Sequence, residues 1–465
     1  MKKRDEIPVC DTWNLADILP SDEAWEALFL ETERELAGYK EFEGHLAESG
    51  EVLFQCLKFD EDISLKIERL FVYGREKSDE DTAKAKYQDF SARAQALSYK
   101  AAGLSSYIVP EILAMDESVL NGLIRTEKEL RRYARTFEII MKKKAHTLSA
   151  GMEELLARSM EATQSPSDIF NMFNNADVKF PSITDSEGKE IPVTHGTYIP
   201  LMENRDRRVR KEAFQSMYSV YGQFANTLAA TFTANVKQAS FYAKTRNYAS
   251  SRAYYLAENE VPESVYDNLV AAIQEGLPLL HDYVAVRKNV LGLDEIHMYD
   301  LYTPMVSRDD SRIPYEEARE MVKKGLAPLG EKYLSLLQEG FDNRWIDVYE
   351  NEGKRSGAYS WGVYGTHPYV LLNYSGTLDS VFTLAHEMGH SLHSWFSDQA
   401  LPYVDAGYKI FVAEVASTCN EALLNRYLLA VTEDKKERAY LLNHFMESFR
   451  GTVFRQTMFA EFEAE

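Results

Sequence analysis

The stretch TLAHEMGHSLHSW, Thr383 to Trp395, holds three of the chain's ten histidines within eight residues, with a glutamate beside the first. Just before it, SGTLDSVF supplies a helix start, with Thr377 as N-cap and Asp379 in the first turn. On such a helix His386 and His390 stand four residues apart and leave from one face. Their imidazoles can then share a tetrahedral metal ion at about 2 Å from each nitrogen. Glu387 lies one step around the helix, where its carboxylate can reach a water at that ion without being a ligand.

The pattern H-E-x-x-H arises by chance in about one of fifty chains this long, so context has to add weight. A plain amphipathic helix, with Val381, Phe382, Leu384, Ala385, Met388 and Leu392 packed inward, accounts for the apolar residues and leaves the histidines unexplained. A catalytic zinc site needs a third protein ligand and one open position. In zinc peptidases with this helix the third ligand can be a glutamate on a second helix, and KIFVAEVASTCNEALLNRYLL, Lys409 to Leu429, has that character. Glu414 interrupts a small and apolar run, Phe411 to Ala416, where an unpaired carboxylate is expected to be costly and a metal would explain it. Glu421, seven residues on and on nearly the same face, suits an acceptor for an imidazole N–H. His393 is a weaker ligand candidate because the fourth position must stay open.

The 465 residues exceed one ordinary core and predict two to four structural units. Apolar residues at 45% and aromatics at 12% place the chain among globular proteins. Lys and Arg total 52 against 73 Asp and Glu, a net charge of −21, which argues against nucleic acid or anionic membrane as the main partner. Two basic runs, Arg131–Lys144 and Arg205–Phe214, are interleaved with apolar residues at helical spacing and read as solvated helix faces. Cys10, Cys56 and Cys419 form neither a disulfide framework nor a cysteine metal site. The N-terminus lacks the apolar run of a signal peptide and no stretch of 18 apolar residues follows. The expectation is a soluble, cytoplasmic protein.

Helical periodicity dominates from Ser21 to about Ala176, including a helix over Asp79 to Tyr107 with acids in its first turn and a break at SPSD, Ser165 to Asp168. DVKFPSITDSEGKEIPVTHGTY, Asp177 to Tyr198, predicts a small β-hairpin. Helices resume from Asn204 to about Leu291 and from Tyr315 to about Gln338. Trp345 to Tyr374 carries glycines and the β-rich pieces AYSWGVY and YVLLNY, which predict a short sheet leading into the histidine helix. The organisation read from these shifts is a helical region over 1–115, a helical subdomain ending in the hairpin over 116–200, and a catalytic domain over 201–465.

HEMGH at His386 to His390, followed by FVAEVASTCNE at Phe411 to Glu421, resembles the thimet-type oligopeptidase family of zinc metallopeptidases, and within it the oligoendopeptidase F group. LFVYGREKSDEDT near Leu70, FPSITDSEGKEIPVTHGTY before Tyr198, YVLLNYSGTLDSVFTLAHEMGH and FRGTVFRQTMFAEFE extend the resemblance to nearly the whole chain. It implies a mainly α, bowl-like bundle with a deep channel and a small sheet beside the H-E-x-x-H helix, cutting internal bonds of short peptides. It also implies one zinc ion on His386, His390 and Glu414, with Glu387 as general base and then proton donor.

The β-rich piece before the helix can pair with an extended substrate through backbone atoms of Gly357, Ala358 and Tyr359 to Trp361. His367 and Tyr369 in GTHPYV are further candidate substrate contacts, with a turn histidine before proline and a packed strand tyrosine as the plainer reading. Members of the resembling group continue past the position of Glu465, into helices whose tyrosine and histidine groups hold substrate. The expectation is therefore a catalytic domain incomplete at its C-terminus and an endopeptidase with impaired activity. The alternatives are an inactive peptide-binding or scaffold protein that keeps the zinc site, and a zinc carboxypeptidase on a similar fold.

Overall fold

The computed structural model describes residues 2–306 and 312–464. The fold is mainly α, with five short strands among the described residues: β1 (Ile183–Thr184), β2 (Glu190–Ile191), β3 (Ile346–Asp347), β4 (Tyr359–Trp361) and β5 (Tyr369–Leu371). The chain forms two compact units, Met1–Met152 with Asp310–Val431, and Glu153–Asp309 with Thr432–Glu465. Among the described residues no helix is long and apolar enough to cross a membrane.

The first unit is organised by the Gly50–Glu80 helix, started by Ser49, whose side chain accepts from the Val52 N–H. It packs along the Ala85–Leu104 helix, and at Gly74 the backbones come so near that a Cβ would sit 3.1 Å from Phe90 Cβ. Trp25 anchors the core: its ring stacks on Phe90 with centroids 3.9 Å apart, and its Nε1 donates to the Leu70 carbonyl at 2.8 Å. Asp79 and Glu80, expected in a helix's first turn, instead close the Gly50–Glu80 helix and are buried. They are held there by partners distant in sequence. Arg355 and the Tyr359 hydroxyl reach Asp79, and the Trp13 indole donates to Glu80. A buried carboxylate with such donors outweighs the local preference for a helix start.

The predicted sheet is present, in the order β3-β5-β4, with β3 parallel and β4 antiparallel to β5. Tyr369, Val370 and Leu371 of β5 are all buried because both faces of the central strand are covered. Val370 and Leu372 donate to the carbonyls of Trp345 and Asp347 on the β3 side. By the alternation of an antiparallel pair, Tyr369 and Leu371 bond to Tyr359 and Trp361, and the Ser360 N–H and C=O point to the outer edge. Among the described residues no strand pairs with that edge.

In the second unit, β1 and β2 make the predicted hairpin, its turn closed by Asp185, which accepts from the Glu187 and Lys189 N–H groups, and by Gly188 at φ +84°. The Ala150–Met172 helix continues through Pro166, so the expected break at SPSD does not occur. A proline costs one N–H bond and leaves the flanking turns able to carry on when tertiary packing holds them. The basic run Arg205–Phe214 is a solvated face only in part: Arg205, Arg208 and Lys211 are exposed, and Arg210 is buried. Arg207 and Arg210 converge on the buried Asp300, and Arg208 donates to the hairpin carbonyls of Thr184 and Asp185. Near the other end of the chain, Glu447 accepts from Arg287 and Tyr283, tying the Lys435–Ser448 helix to the Glu263–Val290 helix.

Candidate metal centre

Two helices of the first unit build the site. The Leu378–Ala400 helix begins at Thr377, whose side chain accepts from the Ser380 N–H as its N-cap role requires. Val381, Phe382, Leu384, Ala385, Met388 and Leu392 form its buried stripe, and His386 and His390 lie beside that stripe, partly exposed. The Ile410–Val431 helix faces it across small residues. At Gly389 a Cβ would lie 2.7 Å from Ser417 Cα and 2.9 Å from the Ala416 carbonyl oxygen, so only glycine permits this approach. Asn420, buried, donates to the Ala385 carbonyl at 2.9 Å and crosses the same gap.

The close approach brings Glu414 to the histidines. Its Oε2 is 3.3 Å from His386 Nε2 and 3.4 Å from His390 Nε2, and the two Nε2 atoms are 3.1 Å apart. Three ligands at about 2.0–2.1 Å from one tetrahedral ion stand roughly 3.3 Å from each other, so the donor set fits a zinc-sized cation. Among the described residues these three are the group placed to hold a metal. Glu421 accepts from His386 Nδ1, which leaves Nε2 with its lone pair toward the cluster. Ser417 donates to Glu414 Oε2 at 2.6 Å and steers the carboxylate.

Glu414 itself differs from the sequence expectation. It is 60% exposed at the side chain, and Ile410, Phe411 and Val415 around it are exposed too, so burial of an unpaired charge is not what marks it. Its position is marked by the two imidazoles. His393 is outside the cluster: its ring stacks on Tyr408 at 3.8 Å.

Glu387 is buried on the same helix, within electrostatic reach of His386, Glu414 and Glu421. Ser391, one turn on, donates to the Glu387 carbonyl and meets the Ser360 hydroxyl of β4 at 2.8 Å. Burial pushes the Glu387 carboxyl up to about 7, with Glu414 and Glu421 adding to the shift and His386 opposing it. Burial lowers His390; it also acts to lower His386, but the Glu421 hydrogen bond and the surrounding carboxylates outweigh it and His386 is raised.

Of the residues read as substrate contacts, Gly357 is exposed at φ +85°, and Asn373 holds its carbonyl at 2.8 Å. Ala358 and Tyr359 continue into β4, with the Tyr359 hydroxyl committed to Asp79. Tyr369 is fully buried, and His367 stacks on Trp345 and contacts Asp17 through Nε2 at 3.1 Å, so both are engaged by the core and the N-terminal segment. Sequence reasoning passed over Gly389, Ser417 and Asn420. Small residues recur in both helices, but which pair of them touches becomes visible only when the helices are placed together.

The model of peptidase family M3 matches residues 200–465, and that of oligopeptidase F matches residues 111–180. Over 460 residues the chain is 49% identical to the oligopeptidase PepF of Bacillus subtilis, covering 99% of this chain and 69% of that protein. The chain belongs to peptidase family M3, in its oligoendopeptidase F group. The M3 assignment makes it a peptidase of a metallopeptidase family. A second M3 relative, the group B oligopeptidase PepB of Streptococcus agalactiae, is 44% identical over 97% of this chain and 75% of its own length. The crystal structure of oligoendopeptidase-F from Enterococcus faecium superposes with a TM-score of 0.72 at 37% identity, covering 95% of this chain and 74% of that one.

Proposed function

We propose that this M3 peptidase is a zinc-dependent endopeptidase that hydrolyses internal bonds of short peptides in the cytoplasm, with one zinc ion per chain. The observation that carries the reading is the convergence of His386 Nε2, His390 Nε2 and Glu414 Oε2 at 3.1–3.4 Å from one another. When bound there, zinc supplies Lewis-acid chemistry and brings the pKa of a coordinated water toward neutrality. Glu387 takes a proton from the attacking water onto its carboxylate and passes it to the leaving amine nitrogen. Its buried setting suits both steps, because a carboxyl lifted toward neutral pH accepts and returns a proton readily, and a neighbouring cation would bring it down toward the basic form. The extended peptide is held by strand addition at the free edge of β4, through the Ser360 N–H and C=O with Ala358 and Gly362 on either side. Backbone pairing of this kind tolerates varied side chains. A reducing compartment suits Cys10, Cys56 and Cys419, all free thiols.

The test is cleavage of an internally quenched peptide blocked at both ends, with zinc and after chelation. Zinc-dependent internal cleavage that is lost in Glu387→Gln, with metal still bound one per chain, is the expected result. Blocked ends exclude a carboxypeptidase as the source. Unchanged cleavage in Glu387→Gln would sink the role given to that residue.

A further inference from the structure

We propose that the cavity at the Trp361 end of β4 is a subsite for a cationic group of the peptide substrate, held by Glu68 and Asp398. The inference rests on the peptidase reading above and adds a specificity to it. The cavity, of about 570 Å³, lies within the first unit and is walled by Glu68 of the Gly50–Glu80 helix, Trp361 at the end of β4 and Tyr364 beyond it, Asp398 of the metal helix, and Tyr403. Its size is in the range of peptide side-chain and small-ligand pockets.

Glu68 Oε2 is fully buried and has no hydrogen-bond partner, although the Tyr364 N–H and the Tyr403 hydroxyl serve the rest of the carboxylate. Burial raises both carboxyls, Asp398 to about 6, and the charge of Arg69 offsets part of the rise at Glu68. Both residues are half-buried and, among the described residues, neither forms an ion pair with a Lys or Arg, an arrangement that costs a fold some stability. An ammonium or guanidinium in the cavity would pair with Asp398 and with the accessible side of the Glu68 carboxylate, and Trp361, Tyr364 and Tyr403 line the same cavity, where aromatic rings suit a methylene stem and its charge.

Placement relative to the metal follows from the helix. Ser394 and Asp398 follow His390 at four-residue steps, each turned about 40° further around the helix, so Asp398 lies about 12 Å along the axis from His390. A smaller cavity at the other end of β4 touches Gly357 and Ala358 together with Asp379 and Thr383 of the helix's first turns. β4 therefore runs alongside the helix in the same direction. A substrate antiparallel to β4 points its amino-terminal side at Glu68 and Asp398, and an extended chain spans 12 Å in about three to four residues. The cation is a lysine or arginine side chain, or the free α-amino group, at that distance before the cut bond.

The experiment uses the 465-residue chain and peptides of one sequence in which a single lysine is moved along the chain, each paired with its norleucine counterpart and made with a free or acetylated amino terminus. The readout is the ratio of kcat/KM for lysine over norleucine, in the wild type, Glu68→Gln and Asp398→Asn. Kd ratios from fluorescence anisotropy on the Glu387→Gln chain give the same comparison without turnover. A preference of about tenfold, the scale of one charged hydrogen bond, is expected three or four residues before the cut and should fall toward one in both variants. A preference that tracks lysine identifies a side chain, and one that tracks the free amine identifies the α-amino group. Equal handling of lysine and norleucine at every position with either terminus overturns the subsite, as does a preference that survives both substitutions, while leaving the peptidase standing. Absence of both cleavage and binding in the wild type overturns the peptidase reading and the subsite with it. The wild-type scan needs no substitution, so a misfolded variant does not remove the test.

Discussion

Glu387 and Glu421 flank the same imidazole and are expected to fail differently when changed. Glu387→Gln keeps the shape and removes the proton acceptor, so peptide hydrolysis should fall by about a hundredfold or more while bound metal, measured by elemental analysis, stays at one per chain. Glu421→Gln keeps Glu387 and loosens His386, so the affinity for zinc in competition with a chromophoric chelator should fall by about 10–100-fold. Equal zinc affinity in wild type and Glu421→Gln would remove Glu421 from the support of the site. At this scale much was legible in the sequence. The four-residue spacing of His386 and His390 and the apolar stripe beside them decide a helix face, and Glu414 and Glu421 repeat on the next helix. Burial does not mark Glu414, whose side chain is 60% exposed. Its surroundings are exposed, and what singles it out is the partner helix.

Helices and strands carry their own consequences. Gly389 sets the spacing between the Leu378–Ala400 and Ile410–Val431 helices, and the methyl of Gly389→Ala would meet main chain, which cannot swing aside. A loss of about 1–3 kcal/mol in unfolding free energy is expected, together with weaker zinc binding, since the donor atoms separate with the helices. Chemical denaturation of the metal-free chain checks the first part and chelator competition the second. In the second unit, Asp300 accepts from Arg207, Arg210 and the His297 N–H, and these partners outweigh burial to hold its pKa below the usual carboxylate range. Its folded pKa is depressed, so its stabilisation is fully present above about pH 4, the unfolded carboxylate range, and is lost as pH falls through the folded value. Asp300→Asn should lower stability at neutral pH and flatten the acid limb of the melting curve against pH. The hairpin, the short sheet and the N-cap at Thr377 were readable because turn residues and alternation are local signals. The end of the Gly50–Glu80 helix and the clamp of the Arg207 run were not, because their deciding partners, Arg355 and Trp13 for one and Asp300 for the other, lie 67 to 276 residues away.

For the whole molecule the net charge of −21 is the dominant long-range fact. A strongly acidic surface attracts cationic peptides, so kcat/KM for a lysine-bearing substrate should fall as ionic strength rises from low salt, and that of an uncharged one should move less. Stopped-flow cleavage across a salt series measures both. The same chain should melt higher with zinc than with chelator, by about 2.7 kcal/mol of added stability at a free zinc level a hundred times the dissociation constant.

The glycine contact between the two metal helices has one more consequence. Because main chain meets main chain at Gly389, the backbone fixes the spacing between the helices that carry His386, His390 and Glu414. If the site holds zinc as proposed, the fixed helix spacing is expected to favour ions by radius: cobalt(II), close to zinc in size, should restore cleavage to the metal-free chain, and the larger cadmium should bind more weakly in chelator competition.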